Sequence, residues 1–155
     1  MSEILPDRDT IASYRDHHIG RLFLRAHRDF SERAMCKLQE RGHDGLGPAH
    51  MGLLPHLDVD GTRASILAER AAISKQAAGV LVQDLETKGY VRREPDPADR
   101  RAAIVCFTAD GERFLRDAYD VKQEIEAEYR AILGDAGFDQ LQTLLSQVVD
   151  GPSAG

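Results

Sequence analysis

Between Ile11 and Leu38, apolar side chains return at Ile19, Leu22, Phe23, Ala26, Phe30, Ala34 and Leu38. Steps of three and four put them on one face, so the spacing predicts one long helix. "ERGHDGLGP" ends it, because three glycines and a proline continue a helix only at a cost. Pro48 suits the first turn of a short helix through Leu54, and Pro55 closes it. "DVDG" reads as a turn. Ile66, Leu67 and Ala68 then open a helix of two or three turns that ends near Ala71. Ser74 carries a hydroxyl that accepts from an orphaned backbone N–H, which makes it the N-cap of a helix from Lys75 to Lys88. Ala78, Leu81, Val82 and Leu85 form the apolar face of that helix. Gly89 supplies a left-handed stop, with Tyr90 as the hydrophobic contact behind it.

The period then changes. "GYVRR" and "AIVCFT" are rich in β-branched and aromatic residues and predict two strands, around Tyr90–Glu94 and Ala102–Phe107. Thr108 caps another long helix striped by Phe114, Ala118, Val121, Ile125, Tyr129 and Ile132, and a last helix carries Phe138, Leu141, Leu145 and Val148. The tail "DGPSAG" reads as frayed. Two short helices joined by a tight turn and followed at once by a hairpin form a winged helix-turn-helix pattern. The fold class expected is mainly α with a small β-hairpin wing: a winged core at about 61–108, flanked by long helices at about 8–40 and 109–150, in a single domain 1–155.

Composition narrows the class. With 155 residues, 42% hydrophobic and 30% charged, the chain is that of a folded protein, able to bury about two-thirds of its unfolded surface. No apolar run approaches the roughly 18 residues of a membrane span, and "MSEILPDRD" lacks the basic and apolar regions of a signal peptide, so the expectation is cytoplasmic. Cys36 and Cys106 have no CxxC partner spacing and read as reduced, buried thiols, with a redox-sensing role for Cys36 as the alternative. The net charge is −6, yet Gly61 to Ala103 holds eight Lys and Arg against six Asp and Glu. That segment is therefore +2 and the remainder −8. A basic centre between acidic helices is a local pattern, and local pattern decides what a surface attracts.

In such a fold the second helix can enter a major groove with its N-terminal residues near base edges. Ser74, Lys75 and Gln76 occupy that end. Lys75 can reach a phosphate or guanine, Gln76 can pair with adenine bidentately, and Gln83 lies two turns on. Ala77 and Gly79 keep the outer face low, so the helix can approach closely. Between the strands, "EPDPADRRA" becomes a wing tip: Pro95 and Pro97 stiffen it and discourage edge pairing. Arg100 and Arg101 give it a cationic point suited to a narrow minor groove. Asp99 repels phosphate by itself, so its role is to hold a neighbouring arginine. Arg63, Arg92 and Arg93 are outward candidates for phosphate contact.

"SKQAAGVLVQDLETKGYVRREPDPADRRAAIVCFTADG" resembles the core of the multiple-antibiotic-resistance regulator (MarR) family, through "LETKGYV", "DPADRRA" and "FTADG". The element order agrees from about Tyr14 to Val149; the motifs lie within Leu67–Gly111. The resemblance implies a homodimer held by the terminal helices that binds pseudo-palindromic promoter DNA, with Asp99 and Arg101 as an acid–arginine pair. Two positions depart from the family pattern. Ala72 stands where the turn usually has glycine, and Val80 stands where many members have arginine; Val80 contacts a thymine methyl or simply packs.

All six histidines fall within the first 56 residues, at spacings that match no zinc site, so no metal and no cofactor is expected. Arg15, His18 and His50 are candidates for an anion pocket between the first, second and fifth expected helices, where the resemblance implies small aromatic acid effectors. No phosphate loop, dinucleotide fingerprint, nucleophile elbow or metalloprotease motif is present, so no enzyme is expected. The expected function is a repressor of double-stranded DNA sites, released by a small-molecule effector. The alternatives are a winged-helix adaptor for a protein partner, or a metal- or redox-responsive regulator. Apolar stripes on both terminal helices call for a second copy; the rival is packing of the two ends on each other.

Overall fold

His18 divides the first stripe. In the computed structural model, which describes residues 7–151, helix α1 (Arg8–His17) stops at an extended His18 (φ −71°, ψ 152°) and α2 (Ile19–Glu40) starts beyond it. The expected single helix is thus two. His18 serves both ends: its backbone N–H donates to the Tyr14 carbonyl, and its ring Nδ1 accepts from the N–H of Arg21. The Tyr14 ring stacks on it at 5.4 Å. Gly20, a poor helix former, adjoins the break. The first six residues and the last four, including most of the tail read as frayed, lie outside the described residues.

The short helix α3 (Pro48–Leu53) passes into a 3-10 turn, Leu54–His56, rather than closing at Pro55. A proline in a first turn loses no hydrogen bond there. Strand β1 (Thr62–Arg63) was not expected, because two residues carry no period. Helices α4 (Ala64–Arg70) and α5 (Lys75–Thr87) follow, then strands β2 (Val91–Pro95) and β3 (Ala103–Phe107). The sheet order is β1-β3-β2, antiparallel throughout, with Thr62 opposite Val105 and Arg93 also opposite Val105 from the other side. The chain ends in α6 (Ala109–Leu133) and α7 (Asp135–Asp150).

The core is one cluster in which Leu38 of α2, Leu53, Leu54, Leu67, Val82 and Leu85 meet Val91, Val105, Phe107, Phe114, Val121 and Ile125. Each fully buried leucine contributes about 2 kcal/mol. It is pinned by one buried polar chain: Tyr90 Oη, His43 Nδ1 at 2.9 Å, and His43 Nε2 to Asp117 Oδ2 at 2.9 Å. Every polar atom of the wholly buried imidazole is thereby satisfied.

Outside the core, α2 and α6 are laced by charge. Arg33 reaches Asp29 (2.8 Å) and Glu128 (2.7 Å), Lys37 reaches Glu124 (3.1 Å) and Glu128 (2.8 Å), and Arg41 holds Glu124. Cys36, expected buried, lies exposed on α2; Cys106 is half-buried, and burial pushes its thiol pKa up. The terminal stripes divide. Phe114, Val121, Ile125 and Phe138 are buried, but Ile11, Ile19, Leu22, Ile132, Leu141, Leu145 and Val148 stay exposed in the single chain. Packing of the two ends on each other does not cover them. No helix among the described residues is long and apolar enough to cross a membrane.

Candidate nucleic-acid interface

The turn between α4 and α5 is made by Ala72 at φ +54°, a left-handed conformation at a non-glycine residue. The N–H groups of Ala72 and Ile73 reach back to the carbonyls of Glu69 and Ala68, closing α4. Ser74 then caps α5 as its side chain suggested: its hydroxyl accepts from the N–H of Ala77 at 3.0 Å. At the other end Gly89 (φ +82°) turns the chain, and the Tyr90 N–H donates to the Leu85 carbonyl.

With Ala78, Val82 and Leu85 buried, the opposite stripe of α5 faces outward. It forms one wall of an open cleft of about 930 Å³, whose other wall is the wing. Lys75, Gln76, Gly79, Val80 and Gln83 line it from the helix, and Arg93 and Arg101 from the sheet and the wing loop. Five of the sequence-expected residues, Lys75, Gln76, Gln83, Arg93 and Arg101, are thus brought together. Arg100 is exposed on the same loop but does not line the cleft.

The wing loop answers why acids and prolines crowd one turn. Asp96 is 4% exposed, and its carboxylate accepts from the Ala98 N–H at 2.8 Å. Its own N–H donates to the Ala102 carbonyl, and its carbonyl accepts from the Asp99 N–H. Asp99 in turn accepts from the backbone N–H of Arg101 at 3.0 Å. Asp99 therefore orients Arg101 through the main chain; among the described residues no ion pair joins the two side chains. Arg63, expected as a phosphate contact, instead lies with Nε 2.5 Å from Asp96 Oδ2, tying β1 to the root of the wing. The Ala98 N–H, with Arg63 behind it, holds the Asp96 carboxyl below the usual range against the opposing effect of burial.

Arg92 and Arg93 are also engaged. Arg92 pairs with Glu94 at 2.7 Å and donates to the Phe107 carbonyl. Arg93 donates to the Gly79 carbonyl, while Glu86 of α5 accepts from its backbone N–H at 3.2 Å. No sequence signal marked Asp96, Glu86 or Arg93 as parts of this joint, since each contact spans elements.

The candidate anion pocket is not assembled. His18 lines a shallow depression on α1 with Tyr14 and His17, and neither Arg15 nor His50 borders it. His50 is occupied elsewhere: Nδ1 accepts from the Gly47 N–H at 2.9 Å, and Nε2 lies 2.8 Å from Asp84 Oδ2. A backbone N–H can only donate, so the ring proton sits on Nε2, facing the carboxylate. His50 joins α3 to α5. Among the described residues no three His, Cys, Asp or Glu side chains gather so as to hold a metal ion.

Residues 44–102, which span α3, α4, α5 and the wing, match the model of the MarR family. A stretch of 72 residues, 46% of this chain, is 35% identical to the transcriptional regulator HosA of Escherichia coli O111:H-, of which it covers 53%. The chain thus spans about half the length of the curated relatives it matches. Over 96% of its length it is similar in fold to a solved mutant MarR from E. coli (99% of that chain, TM-score 0.71, 20% identity). It also resembles an S. aureus MepR mutant bound to an oligodeoxyribonucleotide, over 84% of this chain and 95% of that one (TM-score 0.59, 19% identity). These likenesses establish the MarR winged-helix fold.

Proposed function

We propose that this chain is a DNA-binding transcriptional regulator, acting in the cytoplasm as a homodimeric repressor of pseudo-palindromic promoter sites. The observation that carries the reading is the cleft. It gathers Lys75, Gln76 and Gln83 of α5 opposite Arg101 of the wing, with the hydroxyl of Ser74 already spent on fixing the helix end. The helix presents groups for the major groove while Arg100 and Arg101 extend toward a neighbouring minor groove. One structural neighbour is bound to an oligodeoxyribonucleotide, and its fold is the one seen here.

The apolar residues left exposed on α1, α2, α6 and α7 support a second copy, so that residues 61–108 read DNA and the flanking helices hold the dimer. Half-sites then lie on the order of 34 Å apart. A small-molecule effector, a small aromatic acid by the family resemblance, releases the DNA only by favouring the arrangement that cannot span both half-sites.

Random-site selection with the purified chain, followed by a salt series on the selected duplex, tests this. Arg101→Ala should weaken binding and flatten the dependence of log K on log salt by about one unit. A monomer indifferent to every duplex at low ionic strength refutes it.

A further inference from the structure

Two neighbouring residues of α5 are hard to explain by the fold alone. Val80 is 65% exposed, midway along the helix and on the stripe opposite its buried face. Gly79 beside it has open space where a Cβ would stand, with nothing within 4 Å. Both are poorer helix formers than alanine, Gly by about 1 kcal/mol. Packing gives neither a reason, yet both line the cleft.

The pattern around them is specific. Gln76, Val80 and Gln83 recur at intervals of four and three, so they share one exposed face, with Lys75 at its start and Arg101 across from it. A branched apolar group flanked by glutamines along the helix matches what a thymine offers in the major groove, a C5-methyl beside the O4 acceptor. A glycine alongside lets the helix backbone come close enough for that contact.

We propose that Val80 is a specificity-determining residue whose methyl groups contact the C5-methyl of a thymine in each half-site, with Gly79 providing the clearance. The proposal rests on the reading of the cleft as a DNA surface. It differs from a phosphate contact in having no charge, and from a glutamine contact in needing only the methyl.

Uracil differs from thymine by that methyl alone, which supplies the test. Each thymine of a duplex selected by the wild-type protein is replaced singly by uracil, and affinities are measured for wild type, Val80→Ala and Gly79→Ala. One thymine per half-site should be sensitive, its replacement costing the wild type about fourfold, as expected for one buried methyl. In Val80→Ala the same replacement should cost less than about twofold. Gly79→Ala should raise the melting temperature, because alanine suits the helix better, yet weaken binding to the thymine duplex. Exposure of both positions keeps the variants folded, which circular dichroism verifies. If uracil costs wild type and Val80→Ala equally, or costs nothing at any position while the duplex still binds, Val80 does not read thymine. If no duplex binds at all, the DNA reading itself fails and takes this one with it.

Discussion

The guanidinium of Arg93, on strand β2, donates a 3.1 Å hydrogen bond to the carbonyl of Gly79 in the middle of α5. This contact, with the Glu86 carboxylate on the Arg93 N–H, sets the angle between the two walls of the cleft. Removing the side chain with Arg93→Ala should cost about 1 kcal/mol of stability, since the pair is part-exposed and screened. DNA affinity should fall as the wing loosens, with an unchanged salt slope. A slope flattened by about one unit would make Arg93 a phosphate contact instead.

Asp99 acts on Arg101 through a main-chain hydrogen bond, so its charge is dispensable and its acceptor oxygen is not. Asp99→Asn should keep operator affinity within about twofold, whereas Asp99→Ala should lose about fivefold as the turn opens, the equivalent of one hydrogen bond. Equal losses in the two variants, read by fluorescence anisotropy, would restore the ion-pair account.

Those two contacts mark what was legible in the chain and what was not. Ser74, Thr108 and Gly89 were readable because caps and stops are local chemistry: a hydroxyl three residues before an orphan N–H, or a glycine after the last turn. The wing strands were readable from β-branched residues, within one residue at their ends. His18 was not, because an imidazole capping a helix leaves the apolar stripe running straight across the break. Arg63 hides its partner for a different reason. Its exposure suits a phosphate contact, and only the tertiary fold brings the carboxylate of Asp96 beside it. His50 likewise fits an anion pocket by type, but the Gly47 N–H and Asp84 claim both ring nitrogens.

Ala72 sits at φ +54°, where a Cβ is strained by about 1–2 kcal/mol. Glycine removes that strain but adds freedom to the unfolded chain, which offsets part of the gain. Ala72→Gly should therefore raise stability by about 0.5–1 kcal/mol in urea unfolding. A loss of stability would show that the alanine methyl has a packing role at the turn.

Acid should loosen the α2–α6 pair before the core. Arg33, followed by Tyr129, holds the Asp29 carboxyl below its ordinary range; Lys37 does so for Glu124, and Lys37 and Arg33 for Glu128. Folded values below unfolded ones mean that this stabilisation is present above the ordinary carboxylate range and is lost as pH falls through the lowered values. The melting temperature should be level near neutrality and decline below about pH 4.5. The double variant Glu124→Gln, Glu128→Gln should start lower and decline less. An identical slope in the variant would assign acid sensitivity to other carboxylates.

Gly111, in the first turn of α6, separates helix propensity from packing. Its N–H donates to the Thr108 hydroxyl, which in turn donates to the Gly89 carbonyl, so the helix start is drawn against the root of the wing. A Cβ there would stand 2.1 Å from the Tyr90 carbonyl oxygen and 2.8 Å from the Phe107 ring. Neither yields easily: the carbonyl accepts from the Thr108 N–H, and Phe107 is core. Propensity alone makes Gly111→Ala stabilising by about 1 kcal/mol. Overpacking opposes it with about 1–3 kcal/mol or more, because backbone must move. The clash wins, and the melting temperature should drop by roughly 3–8 °C for a chain of this size. Gly79→Ala, the same substitution where the added methyl meets nothing, should shift it the other way. If both variants rise together, the junction between wing and α6 is looser than its contacts require.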